Sequence, residues 1–389
     1  MKKIVYGTIS LLIILFLISC GHEKFDLKTI EHDRVLTQAK FALREPPVTI
    51  TAFHCERSAG GIHDFYSEGD YWWPDPQNPD GPYIRRDGLS NPDNFIKHRL
   101  LLMRLSYHVP ALTAAFVLTN EQRYADAAIK HLRAWFIDPQ TKMNPNMLYA
   151  QAIKGRVTGR GIGIIDAIHL VEVAQAVRVL EKKRAIDRNT LNGVKDWFSH
   201  FLNWIFTHPY GIKERDNGNN HSTCWAMQVA SYAKLVGDTS KLNYVHDFYK
   251  STLLPDQMAK DGSFPKELAR TKPYGYSLFN LDAMVMVCLL ASQNDDLWHY
   301  TLPDGRSIAK AVEFMFPYIK NKKNWPFKKD VLYFDQWPVR HPSLLFAGIK
   351  LSNNEYLEQW QKLEADPTKY EVLRNYFIRQ PLLWQEYLR

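Results

Sequence analysis

The sequence predicts an all-α fold: an α/α toroid, or incomplete barrel, of helical hairpins around a cleft, with a long aromatic lid loop. Three observations lead there. Apolar residues recur at helical spacing in run after run between Asp26 and Arg379. Strand-like character is confined to one short piece, Val48 to Phe53. A single long segment, Cys55 to Asp93, breaks the helical pattern. Helical hairpins must bury their apolar faces on one another, and paired inner and outer helices around a cleft do so. No sequence repeat relates the hairpins, so the ring follows from their number and length.

The chain starts with a segment that stands apart from this pattern. Lys2 and Lys3 precede a nearly unbroken apolar run from Ile9 to Ile18, too short for a stable membrane span. Leu17-Ile18-Ser19-Cys20 then resembles a bacterial lipobox, in which Cys20 becomes the lipid-bearing N-terminus. The expected organisation is a lipoprotein signal peptide over 1–20, a tether over 21–26 and one toroid domain over 27–389. The protein is expected to be exported and lipid-anchored, periplasmic or at the cell surface, touching the membrane only through that lipid.

Helices are expected over 26–43, 94–118, 121–137, 163–180, 188–206, 221–235 and 241–253, then 276–292, 307–319, 342–349, 354–363 and 369–379. Thr119-Asn120-Glu121 and Asp187-Arg188-Asn189 read as caps or turns. The interrupting segment holds five Gly and five Pro, which excludes a regular helix there. It also carries Phe65, Tyr66, Tyr71, Trp72, Trp73 and Tyr83, which argues for a folded cleft wall over a disordered loop. No linker or composition shift divides the rest.

Charge and cysteine content narrow the chemistry. Without Lys2 and Lys3 the balance is 47 basic to 41 acidic residues, a net +6. For an exported protein that favours an anionic polysaccharide partner over nucleic acid. Setting Cys20 aside leaves Cys55, Cys224 and Cys288, an odd number with no metal-ligand spacing. Cys224 and Cys288 lie in apolar helical runs and read as buried thiols. Neither a metal nor a cofactor is expected. The Gly-rich run Gly155 to Gly163 lacks a preceding strand and is no dinucleotide loop, but Arg156 or Arg160 near a helix start suits a carboxylate.

Three short segments carry the candidate chemistry. Asn219-Asn220-His221-Ser222-Thr223-Cys224-Trp225 opens a helix; Glu267-Leu268-Ala269-Arg270 follows; Tyr274-Gly275-Tyr276 opens another helix. An amide, an imidazole, a guanidinium and a phenol suit removal of a proton beside a carboxylate. That proton is weakly acidic, so cationic and hydrogen-bond-donating groups must first quench the carboxylate's charge. Each residue also has a plainer reading: Asn220 as a helix cap, His221 as a first-turn residue, Arg270 as an ion pair to Glu267.

Taken together and in this order, these residues resemble the alginate lyase family of polysaccharide lyases. Tyr71-Trp72-Trp73-Pro74-Asp75-Pro76 resembles a signature of the same family. The resemblance implies an α/α toroid that cleaves 1,4-linked polyuronates, mannuronate-rich alginate or glucuronan, by β-elimination. It implies that Asn220 and His221 meet the substrate carboxylate, that Arg270 supports the phenol, and that Tyr276 moves the proton. Tyr274 is the alternative proton carrier and a substrate-binding candidate with Tyr71, Trp72, Trp73 and Arg160. The spacing from Arg270 to Tyr276 is one residue shorter than in the best-studied branch, and Gly275 and Ser277 stand where that branch usually has His. This points to a separate branch. Two other classes stay open. A toroid glycoside hydrolase would need two facing carboxylates, Glu68 with Asp70 or Asp216 with Glu267. A non-catalytic glycan-binding lipoprotein would use the lid aromatics alone.

Overall fold

The computed structural model describes residues 25–387. The expected signal peptide, Cys20 and residues 21–24 lie outside the described residues. The last two residues of the expected tether belong to the folded body. Phe25 packs edge-on against Trp360 with ring centroids 6.2 Å apart, and Asp26 caps the first helix by accepting the Lys28 N–H at 3.0 Å.

The helices are α1 (Leu27–Ala42), α2 (Lys97–Thr119), α3 (Gln122–Phe136), α4 (Leu170–Lys182), α5 (Arg188–Thr207), α6 (Pro209–Arg215), α7 (Asn220–Val236) and α8 (Thr239–Phe248). They continue with α9 (Leu254–Gln257), α10 (Pro265–Leu268), α11 (Pro273–Ala291), α12 (Ile308–Lys320), α13 (Pro342–Lys350), α14 (Asn354–Lys362) and α15 (Tyr370–Asn375). Helices α2, α4, α7, α11 and α13 pack side by side in that order as an inner layer. Outside them, α1 and α3 cover α2, α5 and α8 cover α7, α12 covers α11, and α14 covers α13.

Sequence explains which helix lies where. Every residue of α11 is buried, so it needs no polar face and shows none. Outer helix α5 alternates one apolar face (Val194, Trp197, Phe198, Phe201, Leu202, Ile205) with polar positions, and Asp187 caps it on the Thr190 N–H at 2.9 Å. Helix α7 ends at Gly237, in the left-handed region at φ 81 that a side chain disfavours.

Several expectations change. Val48 to Phe53 is no strand; it holds a 3-10 turn at Ile50–Ala52. The helix expected from 163 begins as a 3-10 segment, Gly161–Ala167. There Gly163 lies so close to strand residue Ala150 that a Cβ would sit 2.6 Å from its carbonyl oxygen. The helix expected over 241–253 divides at a π-turn, Tyr249–Leu253. That expected over 369–379 shortens to α15. Three short helices, α6, α9 and α10, fall outside the expected ranges.

The segment 55–93 is ordered by small sheets and buried ion pairs. Strand β1 (Tyr66–Glu68) runs parallel to β4 (Tyr149–Ala152), and β2 (Trp72–Trp73) pairs antiparallel with β3 (Ile84–Arg85). Asp70, between β1 and β2, meets Arg99 of α2 at 2.7 Å and also Arg374 of α15. Burial alone would raise this carboxyl; the two guanidinium groups hold it at about 2. The lid is thereby joined to an inner helix and to the C-terminal part of the chain. Cys55, Cys224 and Cys288 are all buried free thiols.

Candidate active site

The starts of α7 and α11 meet the lid at one cleft of about 370 Å³. At α7 the capping residue is Asn219, whose side chain accepts the His221 N–H at 3.0 Å. That leaves the side chains of Asn220 and His221 for other work. Asn220 is held by Glu267 of α10: its backbone N–H and its side-chain Nδ2 donate to the two carboxylate oxygens at 2.8 and 2.7 Å. One amide hydrogen and the amide oxygen remain for a ligand.

His221 is oriented from behind. Its Nδ1 lies 2.7 Å from Oε1 of Glu214, a fully buried carboxyl of α6. The other Glu214 oxygen has no hydrogen-bond partner among the described residues. Burial pushes the carboxyls of both Glu214 and Glu267 up, and the neighbouring His221 and Asn220 oppose that rise. With Glu214 ionised, Nδ1 carries the proton and Nε2 is the ring nitrogen left for the cleft.

Arg270 follows α10 and does not pair with Glu267. Its guanidinium carbon lies 4.6 Å from the centroid of the Tyr276 ring, and Nη2 is 3.5 Å from Asp87 of the lid. The Tyr276 hydroxyl is 2.7 Å from the hydroxyl of Tyr71. Burial pushes the Tyr276 phenol up to about 12, with Arg270 pulling in the opposite direction.

Tyr274 is a correction. Two residues along a helix turn a side chain by about 200°, so Tyr274 and Tyr276 point opposite ways. Tyr274 is fully buried against Trp325 and Phe334 and donates its hydroxyl to the Tyr318 carbonyl at 3.1 Å. It does not line the cleft.

The two lid tryptophans also part company. They are neighbours on β2, and successive strand residues face opposite sides. Trp72 lines the cleft, with the Arg160 guanidinium carbon 5.8 Å from its ring centroid. Trp73 does not line it; its Nε1–H donates to the Leu89 carbonyl at 2.9 Å and Arg86 lies over its ring. Trp73, expected among the substrate-binding residues, is half-buried and fastened to the loop outside this cleft. Arg160 lines the cleft and is held by Gln151, to whose backbone and side-chain oxygens it donates at 2.9 and 3.1 Å. Its burial lowers it to about 10.

Sequence reasoning missed Arg374, the orienting role of Glu214 and Glu267, and the contact of Asp87 with Arg270. Pro209 right after His208 is a helix-start signal that would have located α6. Nothing local marks Arg374, which arrives from the far end of the chain. Arg85, Arg160, Arg270 and Arg374 line the cleft; Asp70 pairs with Arg99 and Arg374, Asp87 faces Arg85 and Arg270, and Arg160 has no carboxylate pair among the described residues. Neither hydrolase pair is poised. Both oxygens of Glu68 bind Arg57 at 2.6 and 2.7 Å, Asp70 is clamped, Glu267 holds Asn220, and Asp216 pairs with Arg215.

Comparison with known proteins agrees with this geometry. No curated protein matches the chain. The chain resembles the crystal structure of an alginate lyase from Bacteroides ovatus at 32% identity, with a TM-score of 0.79 over 92% of this chain and 93% of that one. It shares the fold of alginate lyase A1-III, whose histidine-to-alanine variant complexed with a tetrasaccharide aligns at 17% identity and TM-score 0.55, over 84% of this chain and 88% of that one. A tyrosine-to-phenylalanine variant of A1-III, also complexed with a tetrasaccharide, aligns at 17% identity and TM-score 0.50 over 81% and 85%. The family model described as Alginate lyase matches residues 49–325, more than half of the sequence, and the chain therefore belongs to the alginate lyase family of polysaccharide lyases.

Proposed function

We propose that this lyase cleaves a 1,4-linked polyuronate, mannuronate-rich alginate or a glucuronan, by β-elimination at the cleft between α7, α11 and the lid. The observation that carries the reading is the Tyr276 phenol with Arg270 against its ring and Tyr71 on its hydroxyl, in the same cleft as Asn220 and His221. The free amide hydrogen of Asn220, together with His221 and the cleft arginines, quenches the uronate carboxylate. That makes the proton on carbon 5 removable. The Tyr276 oxygen, as phenolate, takes this proton. The electron pair forms the double bond between carbons 4 and 5, and the bond from carbon 4 to the glycosidic oxygen breaks. The same phenol returns the proton to the departing oxygen.

Arg270 and a hydrogen bond donated by Tyr71 both favour the phenolate over the phenol. In mannuronate and glucuronate the proton and the leaving oxygen share a sugar face, so one residue serves both steps. In guluronate they lie on opposite faces, and His221 Nε2 as base with Tyr276 as acid is the matching division. Variants of A1-III are complexed with a tetrasaccharide, which supports a polysaccharide as the substrate here. The expected lipid on Cys20 would hold the enzyme at a membrane surface facing exported polymer, and a Cys20→Ala protein released in soluble form tests that. The activity itself is tested by ultraviolet absorbance on polymannuronate, polyguluronate and glucuronan in parallel. An unsaturated product from polymannuronate or glucuronan is expected. Cleavage without absorbance would overturn elimination.

A further inference from the structure

A second groove, of about 660 Å³, is lined by Lys154 and Arg156, and Arg156 reaches the ring of the cleft residue Trp72. Strand β4 joins the two: Gln151 lines the cleft, and Ala152 and Ile153 line the groove. Its floor is a tight turn closed by the bridge between Ile153 and Val157. Gly155 sits in that turn at φ +72, where a Cβ would also come within 2.8 Å of Pro82 Cα. The turn is therefore fixed in shape, and it sets Lys154 and Arg156 along the groove.

Arg156 is oriented but not neutralised. Its Nε–H donates to the Tyr83 carbonyl at 2.6 Å, and its guanidinium carbon is 5.3 Å from the Trp72 ring centroid. Lys154 lies over the Tyr83 ring at 5.6 Å. Neither cation has a carboxylate partner among the described residues. The groove's own carboxylate, Glu68, is already bound by Arg57, the Tyr66 hydroxyl and the Phe95 N–H. Val157 is 43% exposed on the same turn and offers an apolar surface of the kind a sugar's C–H face covers.

We propose that this groove is an outer subsite seating a uronate residue of the polymer next to the cleft, its carboxylate held by Lys154 and Arg156. The proposal rests on the polyuronate reading above. Trp72 lines the cleft, and its ring is approached both by Arg160 of the cleft and by Arg156 of the groove.

The test uses full-length protein with Tyr276→Phe to suppress turnover. Calorimetric affinities are measured for mannuronate oligomers of increasing length, with neutral cello-oligosaccharides as the control. Affinity is expected to climb with length for the uronates alone. Lys154→Ala with Arg156→Ala should remove that climb, a loss of roughly tenfold for the long oligomers, the scale of one charge-assisted contact. Short oligomers should be unaffected, and so should the melting temperature. A double variant that keeps the length increment, or that weakens short and long oligomers alike, overturns the subsite. Failure of unsubstituted protein to yield any unsaturated product would sink the lyase reading instead. Length-dependent binding governed by Lys154 and Arg156 would still stand in that case.

Discussion

The helix-borne and loop-borne halves of the cleft are held by opposite means. Asn220, His221 and Tyr276 project from the first turns of two inner helices, and buried carboxylates steady the starts of both. Glu267 and Glu214 hold the Asn–His pair, and Asp330 accepts the Tyr274 and Gly275 N–H groups at the head of α11. Tyr71 and Trp72 instead hang on a segment with little regular structure. It is fastened by Asp70 to Arg99 and Arg374, from elements remote in sequence. Groups that move protons sit on the rigid scaffold, and groups that meet the polymer sit on a fastened loop.

Breaking the helix half should have the largest effect. Tyr276→Phe is expected to lower turnover by about 10²–10⁴-fold, the usual worth of a general acid–base. Melting temperature and polymer binding should stay near normal. A near-normal rate would remove Tyr276 from the chemistry.

Breaking the loop's fastening comes next. Asp70→Asn leaves two buried guanidinium groups short of a partner, and about 3 kcal/mol of stability should be lost. Chemical denaturation checks this, and activity should fall with it as Tyr71 leaves Tyr276. An unchanged denaturation midpoint would show that the loop is held by its sheets alone.

Arg270→Lys keeps the charge but loses the planar group that stacks on Tyr276. A fall in kcat of about a hundredfold is expected, the scale of losing one group that stabilises developing charge. Nearly full activity would reduce Arg270 to the ion pair with Asp87.

The tryptophans sharpen the comparison within the loop. Trp72→Ala should weaken long substrates more than short ones, by about 1.5 kcal/mol. Trp73→Ala should lower the melting temperature by a similar free energy and affect all lengths alike. Equal behaviour of the two would contradict their opposite facing on β2.

The smallest effect concerns the scaffold alone. His108 and His131 are buried, and burial lowers them from 6.5 to about 3 and about 4. An unfolded chain binds protons at these positions below pH 6.5 while the folded chain does not. Their contribution should therefore be full above 6.5 and fade as pH falls towards 4. Replacing His131 with an apolar residue should flatten that part of the pH–stability curve.

The helical scaffold was legible because its signals are local: apolar spacing and the Asp187 cap lie within a few residues of what they control. Asn220, His221, Arg270 and Tyr276 stood out as residue types gathered near two helix starts. What stayed hidden depended on direction and on distance. Choosing between Tyr274 and Tyr276, or Trp72 and Trp73, requires knowing which face of a helix or strand meets the cleft. Asp70 meets Arg374 across most of the chain, and no local pattern encodes that meeting. Glu214 lies in a charged run, Lys213-Glu214-Arg215, on a helix of only seven residues, so no local periodicity marks it as buried.

The most direct test of the account is a paired assay on polymannuronate with wild-type and Tyr276→Phe protein, reading ultraviolet absorbance and new reducing ends together. Elimination through Tyr276 predicts that both signals rise in step for the wild type and that both are nearly absent in the variant. New reducing ends without absorbance, or equal signals from the two proteins, would contradict it.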